Sequence, residues 1–273
     1  MGVLLNLYRM RSENIGDQKA SPFNYFKAPG WSIVRHDVLD SVDPAHRAEW
    51  EANVDAAECV VLGGGGLLDI DYFEPALRET YLRRRSNQRF VVWGAGHNRY
   101  RLDSWSQLHQ PTNLIPYNYD LIGVRDAGQI YHWVPCASCM DPAFDRTYEI
   151  RRDIVLYKHI ETELDAYTRS LLPDDLEILD NYAPFENVIT HLGSAELVLT
   201  SSFHGAYWAT LLGRRVIAFP FSSKFYGLRH PVPLCHIQDW RRFSALAHSY
   251  PDALAECRTA NVRHHQRLLD LIG

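Results

Sequence analysis

His204 is the side chain in this sequence best suited to acid–base chemistry. It lies in Leu197–Lys224, where an apolar run leads through small hydroxyl residues into a His-Gly pair, an apolar helix and a second short apolar run. This order predicts a strand, a turn, a helix and a strand, with His204 at the start of the helix. Ligands, anions above all, bind where a helix follows the carboxyl end of a parallel strand. We therefore predict that His204 is a general acid or base, the alternative being a helix start that happens to carry a histidine.

Two cationic side chains also end predicted strands. Arg125 follows one strand and is suited to clamping a carboxylate or phosphate, or alternatively to pairing with Asp126. Lys224 follows the second strand of the His204 segment and is either a point charge for phosphate or a surface lysine. Ser222 and Ser223 precede it and offer hydroxyl and backbone donors to the same anion.

Glycines follow the third predicted strand. Gly63, Gly64, Gly65 and Gly66 form a continuous run, unlike the dinucleotide fingerprint or the Walker A loop. A tight turn needs fewer glycines, so we predict a ligand-facing loop in which the backbone approaches its ligand closely. Near the start, Asn14, Gly16 and Asp17 follow the first strand. Gly16 gives a sharp turn there, and Asp17 either caps the next helix or faces the same ligand with its neighbours.

The sequence gives no strong metal signal. Asp69-Ile70-Asp71 has a metal-binding form, but matches of three residues are frequent and solvated or capping carboxylates are the better interpretation. Cys136 and Cys139 form a lone CxxC with no second ligand pair, and the five cysteines fit reduced thiols. We predict no metal site from these residues.

Short apolar runs alternate with longer amphipathic segments along the whole chain. This alternation predicts an α/β fold of two Rossmann-like parallel-sheet domains facing a cleft, the glycosyltransferase-B type. Pro142 and a charged run interrupt it, so we divide the chain into an N-terminal domain over 1–145, a C-terminal domain over 146–250 and a final helix over 251–273. Predicted helices include 161–172, and the third strand is expected to end at Leu62.

Composition excludes several classes of protein. With a net charge of −5, the chain has no overall basic field to hold nucleic acid. No signal peptide and no bilayer-spanning window is visible, so we expect a cytoplasmic protein, with peripheral contact at the inner face of the membrane left open.

Motifs in order along most of the chain resemble the polysaccharide pyruvyl transferases. The matching segments are Asn14–Asp17, Gly63–Leu68, Val92–Gly96, Gly123–Asp126, Asp141-Pro142, and Leu199–Gly205 followed by Lys224. The resemblance implies transfer of pyruvate from phosphoenolpyruvate to sugar hydroxyls as a ketal, in bacterial surface polysaccharide biosynthesis. It implies neither a metal nor an organic cofactor for the transfer. The implied acceptor is a glycan or a lipid-linked oligosaccharide. His204 then serves as the catalytic acid–base, and Ser201, Ser202 and Gly205 join the substrate-binding candidates.

One position departs from the family motif. The family often has an arginine two residues before the histidine, where this chain has Ser202. Arg214, Arg229 or Lys224 are candidates to replace that charge, and Tyr207 and Trp208 are candidates to stack on a sugar, although adjacent helix positions face different ways. Two alternatives follow: a nucleotide-sugar glycosyltransferase of the same fold, and a non-catalytic family member that binds glycan.

Overall fold

The chain forms two parallel β-sheets, each flanked by helices. The computed structural model describes residues 2–99, 113–114 and 117–273. The first sheet has the strand order β2-β1-β3-β4-β5-β6 and the second the order β10-β9-β7-β8. The strands are β1 Gly2–Tyr8, β2 Trp31–Asp37, β3 Cys59–Leu68, β4 Arg89–His97, β5 Leu121–Val124, β6 His132–Trp133, β7 Arg152–Lys158, β8 Ile178–Asp180, β9 Ala195–Thr200 and β10 Arg215–Ala218. The α/β prediction of two parallel sheets is confirmed.

Helices cover both faces of the sheets and connect the strands. Over the described residues they are α1 Ile15–Gln18, α2 Arg47–Ala56, α3 Glu74–Leu82, α4 Ala166–Ser170, α5 Phe185–Gly193, α6 Phe203–Leu211, α7 Trp240–Phe243 and α8 Ala253–Ile272. Helix α6 is apolar and all nine of its residues are buried, because it packs between β9 and neighbouring helices. No helix of the described part of the chain is both long and apolar enough to cross a bilayer.

The last helix, α8, returns to the first sheet. Asn261 accepts a hydrogen bond from the indole of Trp93 at 2.9 Å, and Nε2 of His264 lies 3.1 Å from the carbonyl oxygen of Val92. Asn261 and His264 are both fully buried there. The C-terminal helix α8 therefore packs against the first sheet, although it follows the second sheet in the chain.

Strands β3 and β4 are longer than predicted. The expectation that β3 ends at Leu62 and that Gly63–Gly66 form a loop is wrong, because the glycines continue the strand and Gly63 pairs with Trp93 of β4. Gly64 and Gly65 adopt positive φ values of 77° and 90°, which explains why an irregular parallel strand uses glycine here.

One predicted helix is much shorter, and two strands were not predicted. The helix predicted over 161–172 covers only Ala166–Ser170, because the Asp165 side chain accepts the Thr168 N–H and thereby caps the helix at that point. Strands β6 and β8 have two and three residues, too few to show a hydrophobic period.

Candidate active site

A cleft of about 720 Å³ lies at the carboxyl ends of the strands of both sheets. Each lining segment follows a strand: 9–17 follow β1, 66–73 end and follow β3, Asn98 follows β4 and Arg125 follows β5. In the second sheet, 159–161 follow β7, 181–182 follow β8, 202–204 follow β9 and Lys224 follows β10. Parallel strands in both sheets therefore deliver their connecting segments to one cavity, as expected for open α/β sheets.

His204 lines this cleft but is only 5% exposed. Its ring lies 5.0 Å from the ring of Trp208, and its Nε2 is 3.5 Å from Sγ of Cys136. Burial, together with the nearby charges of Arg125 and Lys224, lowers the pKa of His204 well below its usual value, so the imidazole is neutral at pH 7. An anionic ligand that neutralised those charges would raise the pKa again.

Gly16 packs directly against His204. A Cβ at this position would lie 2.0 Å from Nδ1 of His204, so only glycine fits. Asn14 holds the segment in place: its side chain caps α1 by accepting from the N–H of Gly16 at 2.9 Å and also accepts from the amide of Asn181 at 2.9 Å. The prediction that Asp17 caps this helix is wrong, because Asp17 lies within α1 and Asn14 is the cap; both residues line the cleft.

Arg125 and Lys224 are buried cations in the cleft, 5% and 8% exposed. Neither forms an ion pair with a carboxylate of the described residues, and Nε of Arg125 has no hydrogen-bond partner among them. Arg125 instead lies 4.0 Å above the ring of Phe203, while Asp126 accepts the backbone N–H of His97. Burial and the charge of Arg125 lower the pKa of Lys224 to about 8. Buried, unpaired charge is costly unless a ligand neutralises it, so this wall of the cleft is suited to an anion.

Asp17 provides a carboxylate between the two halves of the cleft. It accepts a hydrogen bond from Ser12 at 2.9 Å, and burial raises its pKa despite the charges of Lys224, Arg9 and Arg125.

The serines of the two turns have mainly structural partners. Ser202 lines the cleft and accepts from the Asn181 amide at 3.3 Å. Ser201 accepts from the N–H of His159, and Ser223 accepts from the N–H of Arg99 and contacts His97. The structure places Ser201, Ser222 and Ser223 behind the cleft surface, where the Ser222 hydroxyl has no partner among the described residues.

Of the glycines predicted to bind substrate, only Gly66 lines the cleft. Gly63 packs against Pro22 and Gly64 against Ala20, where a Cβ would lie 2.8 Å and 2.0 Å from the nearest atoms. A Cβ at Gly65 would lie 3.9 Å from the carboxylate of Asp17, and Gly205 packs against Thr200. These glycines permit close packing beneath the cleft.

Most of the residues proposed to replace the family arginine or to stack on a sugar lie outside the cleft. Tyr207 and Trp208 are both core residues, since Tyr207 donates to the Cys136 carbonyl and Trp208 to the Ser138 hydroxyl, so the suggestion that one stacks on a sugar is wrong. Arg214 donates to the Tyr148 carbonyl and Arg229 lies over Trp133, both outside this cleft, which leaves Lys224 as the candidate replacement.

Several further residues of the cleft were not predicted from the sequence. His159 is buried beside Phe221, and burial together with Lys224 lowers its pKa to about 4. Asn181 links the two halves through Asn14 and Ser202. Arg9 and Arg11 lie at the rim and pair with Asp37 and Asp40. These residues could have been found as polar residues that directly follow a strand. Asn181 could not, because the strand before it, β8, was too short to be predicted.

The fold is similar to those of several proteins of known structure. A protein from Listeria monocytogenes described as a UDP-N-acetylglucosamine 2-epimerase has a TM-score of 0.51 and 11% identity, covering 97% of this chain and 90% of that chain. A variant of the wall teichoic acid polymerase TagF has a TM-score of 0.49 and 11% identity, covering 99% and 88%. The spinosyn rhamnosyltransferase SpnG has a TM-score of 0.47 and 14% identity, covering 97% and 95%. The predicted glycosyltransferase-B architecture is confirmed, and at these identities the likeness bears on the fold alone.

Comparison of sequences gives a more specific result. No curated protein matches the chain significantly. A sequence model of the polysaccharide pyruvyl transferases matches residues 13–223, a span that begins just before Asn14 and includes Arg125 and His204. Because this match covers most of the chain, the protein is a transferase that belongs to the polysaccharide pyruvyl transferase family.

Proposed function

We propose that this protein transfers the pyruvate unit of phosphoenolpyruvate to two hydroxyls of a sugar, forming a cyclic ketal and releasing phosphate. The observation that carries the proposal is the pair of buried cations, Arg125 and Lys224, without carboxylate partners among the described residues and in the same cleft as the neutral His204. Family membership supports the same chemistry.

The donor carries a phosphate and a carboxylate, and this cleft offers separate cations for them. Arg125 is planar and binds either group through two hydrogen bonds, whereas Lys224 acts as a compact charge. The start of α6, a nine-residue helix, adds its positive dipole beside Ser202. Lys224 is the only one of the three candidates to replace the family arginine that lines the cleft, so we assign it that part.

His204 performs the proton transfers in this proposal. Bound phosphoenolpyruvate offsets the charges of Arg125 and Lys224, so His204 takes up a proton. The imidazolium protonates the methylene carbon, and the neutral imidazole then takes the proton of the first sugar hydroxyl as that oxygen bonds to the adjoining carbon. The second hydroxyl bonds to the same carbon as the bond to phosphate breaks, and the departing phosphate carries away the proton of this hydroxyl. General acid–base catalysis of this kind contributes about 10²–10⁴-fold. Neither a metal nor an organic cofactor is needed for these steps in our proposal.

The acceptor in this proposal is a glycan or a lipid-linked oligosaccharide. It approaches from the rim, where exposed Tyr72 and Tyr182 line opposite walls of the cleft. We place the reaction in the cytoplasm, with the protein at the inner face of the membrane when the acceptor is lipid-linked.

Calorimetric titration with phosphoenolpyruvate, with UDP and GDP in parallel, tests the donor. The proposal expects phosphoenolpyruvate to bind and Arg125→Ala to weaken binding by about 10- to 100-fold, the loss of one charged hydrogen-bonding group. Arg229→Ala is the matched control, since Arg229 lies outside the cleft. Binding of a nucleotide alone would favour a nucleotide-sugar glycosyltransferase, and binding of none of the three would favour a non-catalytic glycan binder.

A further inference from the structure

Behind His204, away from the cleft, lies a buried chain of hydrogen-bonding groups. Nε1 of Trp208 lies 2.9 Å from Oγ of Ser138, which lies 3.2 Å from Sγ of Cys136, which in turn lies 3.5 Å from Nε2 of His204. Ser138 and Trp208 are fully buried and Cys136 is 1% exposed, so these groups must satisfy one another.

The chemistry of the groups fixes the direction of the first two hydrogen bonds in this chain. An indole N–H only donates, so Oγ of Ser138 accepts from Trp208. Among the described residues, the hydroxyl hydrogen of Ser138 then has one partner left, Sγ of Cys136. Burial raises the pKa of Cys136, which keeps it a thiol. Nε2 of His204 lies 3.5 Å from its sulfur, within reach of the S–H as an acceptor.

The other ring nitrogen of His204 faces the opposite way. Nδ1 has no hydrogen-bond partner among the described residues, yet it is not among the buried polar atoms that lack one, so it remains accessible from the cleft. With Nε2 accepting from a thiol, the neutral ring carries its single hydrogen on Nδ1. In solution both tautomers are available, so a thiol that donates to Nε2 would select this one.

We propose that Cys136 is a positioning residue that sets the tautomer of His204 and makes Nδ1 the nitrogen that faces the substrate. Its part in the reaction rests on the function proposed above. Once His204 is charged, Nδ1 gives its hydrogen to the methylene carbon and keeps the bonding electron pair. It then takes the proton of the attacking hydroxyl, while Nε2 keeps its hydrogen and Sγ of Cys136 accepts it.

The tautomer can be read directly by NMR of the protein labelled with ¹⁵N in its histidine rings. The chain has 13 histidines, so the His204 signals are assigned by their loss in His204→Gln. In wild-type protein without ligand at pH 7, we expect a hydrogen-bearing Nδ1 and a bare Nε2. Phosphoenolpyruvate should then shift the Nε2 resonance more than the Nδ1 resonance, because Nε2 is the nitrogen that gains a hydrogen when His204 becomes charged.

Substitutions at the thiol separate positioning from packing. Cys136→Ser keeps a donor and should keep the Nδ1–H tautomer, whereas Cys136→Ala should move hydrogen to Nε2. Cys139→Ala is the control, since Cys139 is equally buried in the same turn but contacts Asn261. The charged and titratable groups around His204, which are Arg125, Lys224, His159 and Asp17, stay the same in all three variants.

The result that overturns the inference is a wild-type His204 with hydrogen on Nε2, or a tautomer that Cys136→Ala leaves unchanged. The wild-type spectrum alone decides the tautomer, so the proposal can be refuted even if a variant fails to fold. The spectrum is recorded without ligand, so its result does not depend on whether phosphoenolpyruvate is the donor.

Discussion

A methyl group added at Gly16 has no room in this structure. The new Cβ would lie 2.0 Å from Nδ1 and 2.6 Å from Cγ of His204, about 1.4 Å short of ordinary contact. The imidazole cannot retreat easily, because Trp208 and Phe203 pack against it and Cys136 lies behind it. Overpacking of this kind costs about 1–3 kcal/mol of unfolding free energy. A displacement of about 1 Å in a reacting group lowers turnover by about 10²-fold.

Gly16→Ala should therefore lose both stability in urea unfolding and turnover, measured as phosphate release from phosphoenolpyruvate with an accepting glycan. Gly30→Ala is the control: Gly30 has a φ of 83° and no atom within 4 Å of a new Cβ. It should lose about 1 kcal/mol through backbone strain alone and keep its turnover. If Gly16→Ala had wild-type stability and turnover, His204 would not lie against Gly16 as described.

Three further predictions concern the charged groups of the cleft. Because the pKa of Lys224 is about 8, the free protein loses this charge as the pH rises through 8. Calorimetry should therefore show that the affinity for phosphoenolpyruvate falls in this pH range, and Lys224→Arg should move the fall to higher pH. If the pH profile of Lys224→Arg matched that of the wild type, Lys224 would not bind the donor. Phosphoenolpyruvate binding near pH 7 should take up protons as His204 becomes charged. The uptake is measured as a dependence of the binding enthalpy on the ionisation enthalpy of the buffer, and His204→Gln should abolish it. The same dependence in wild type and His204→Gln would refute proton uptake by His204. Tyr207→Phe should lose about 1 kcal/mol of stability through its bond to the Cys136 carbonyl and leave donor binding intact, and weakened donor binding would show that Tyr207 serves the site after all.

Local patterns were enough to predict all the parallel strands but β6 and β8, and most of the regions from which the cleft is built. Strands such as β1 and β9, with seven and six residues, are mostly apolar and end in polar segments, and these segments do line the cleft. Arg125, Lys224 and His204 each follow a strand or begin a helix, so the sequence pattern placed them at the correct edge.

What the sequence could not show depends on contacts between distant segments. Gly63–Gly66 signalled close approach, but the approaching groups are Pro22 and Ala20, which no local pattern indicates. His204 was expected at an open helix start, yet Gly16 and Cys136, far away in the chain, bury it. The division at residue 145 and the substrate-binding roles stay predictions.

Transfer itself is the most direct test of the central claim. Phosphoenolpyruvate labelled with ¹³C at its second carbon is incubated with the protein and a panel of glycans that carry neighbouring hydroxyl pairs, and the carbon is followed by NMR. We predict a new ketal carbon on a glycan, formed together with an equal amount of phosphate and lost in His204→Gln. Intact phosphoenolpyruvate across the panel, with consumption of a nucleotide sugar offered to the same glycans, would contradict it.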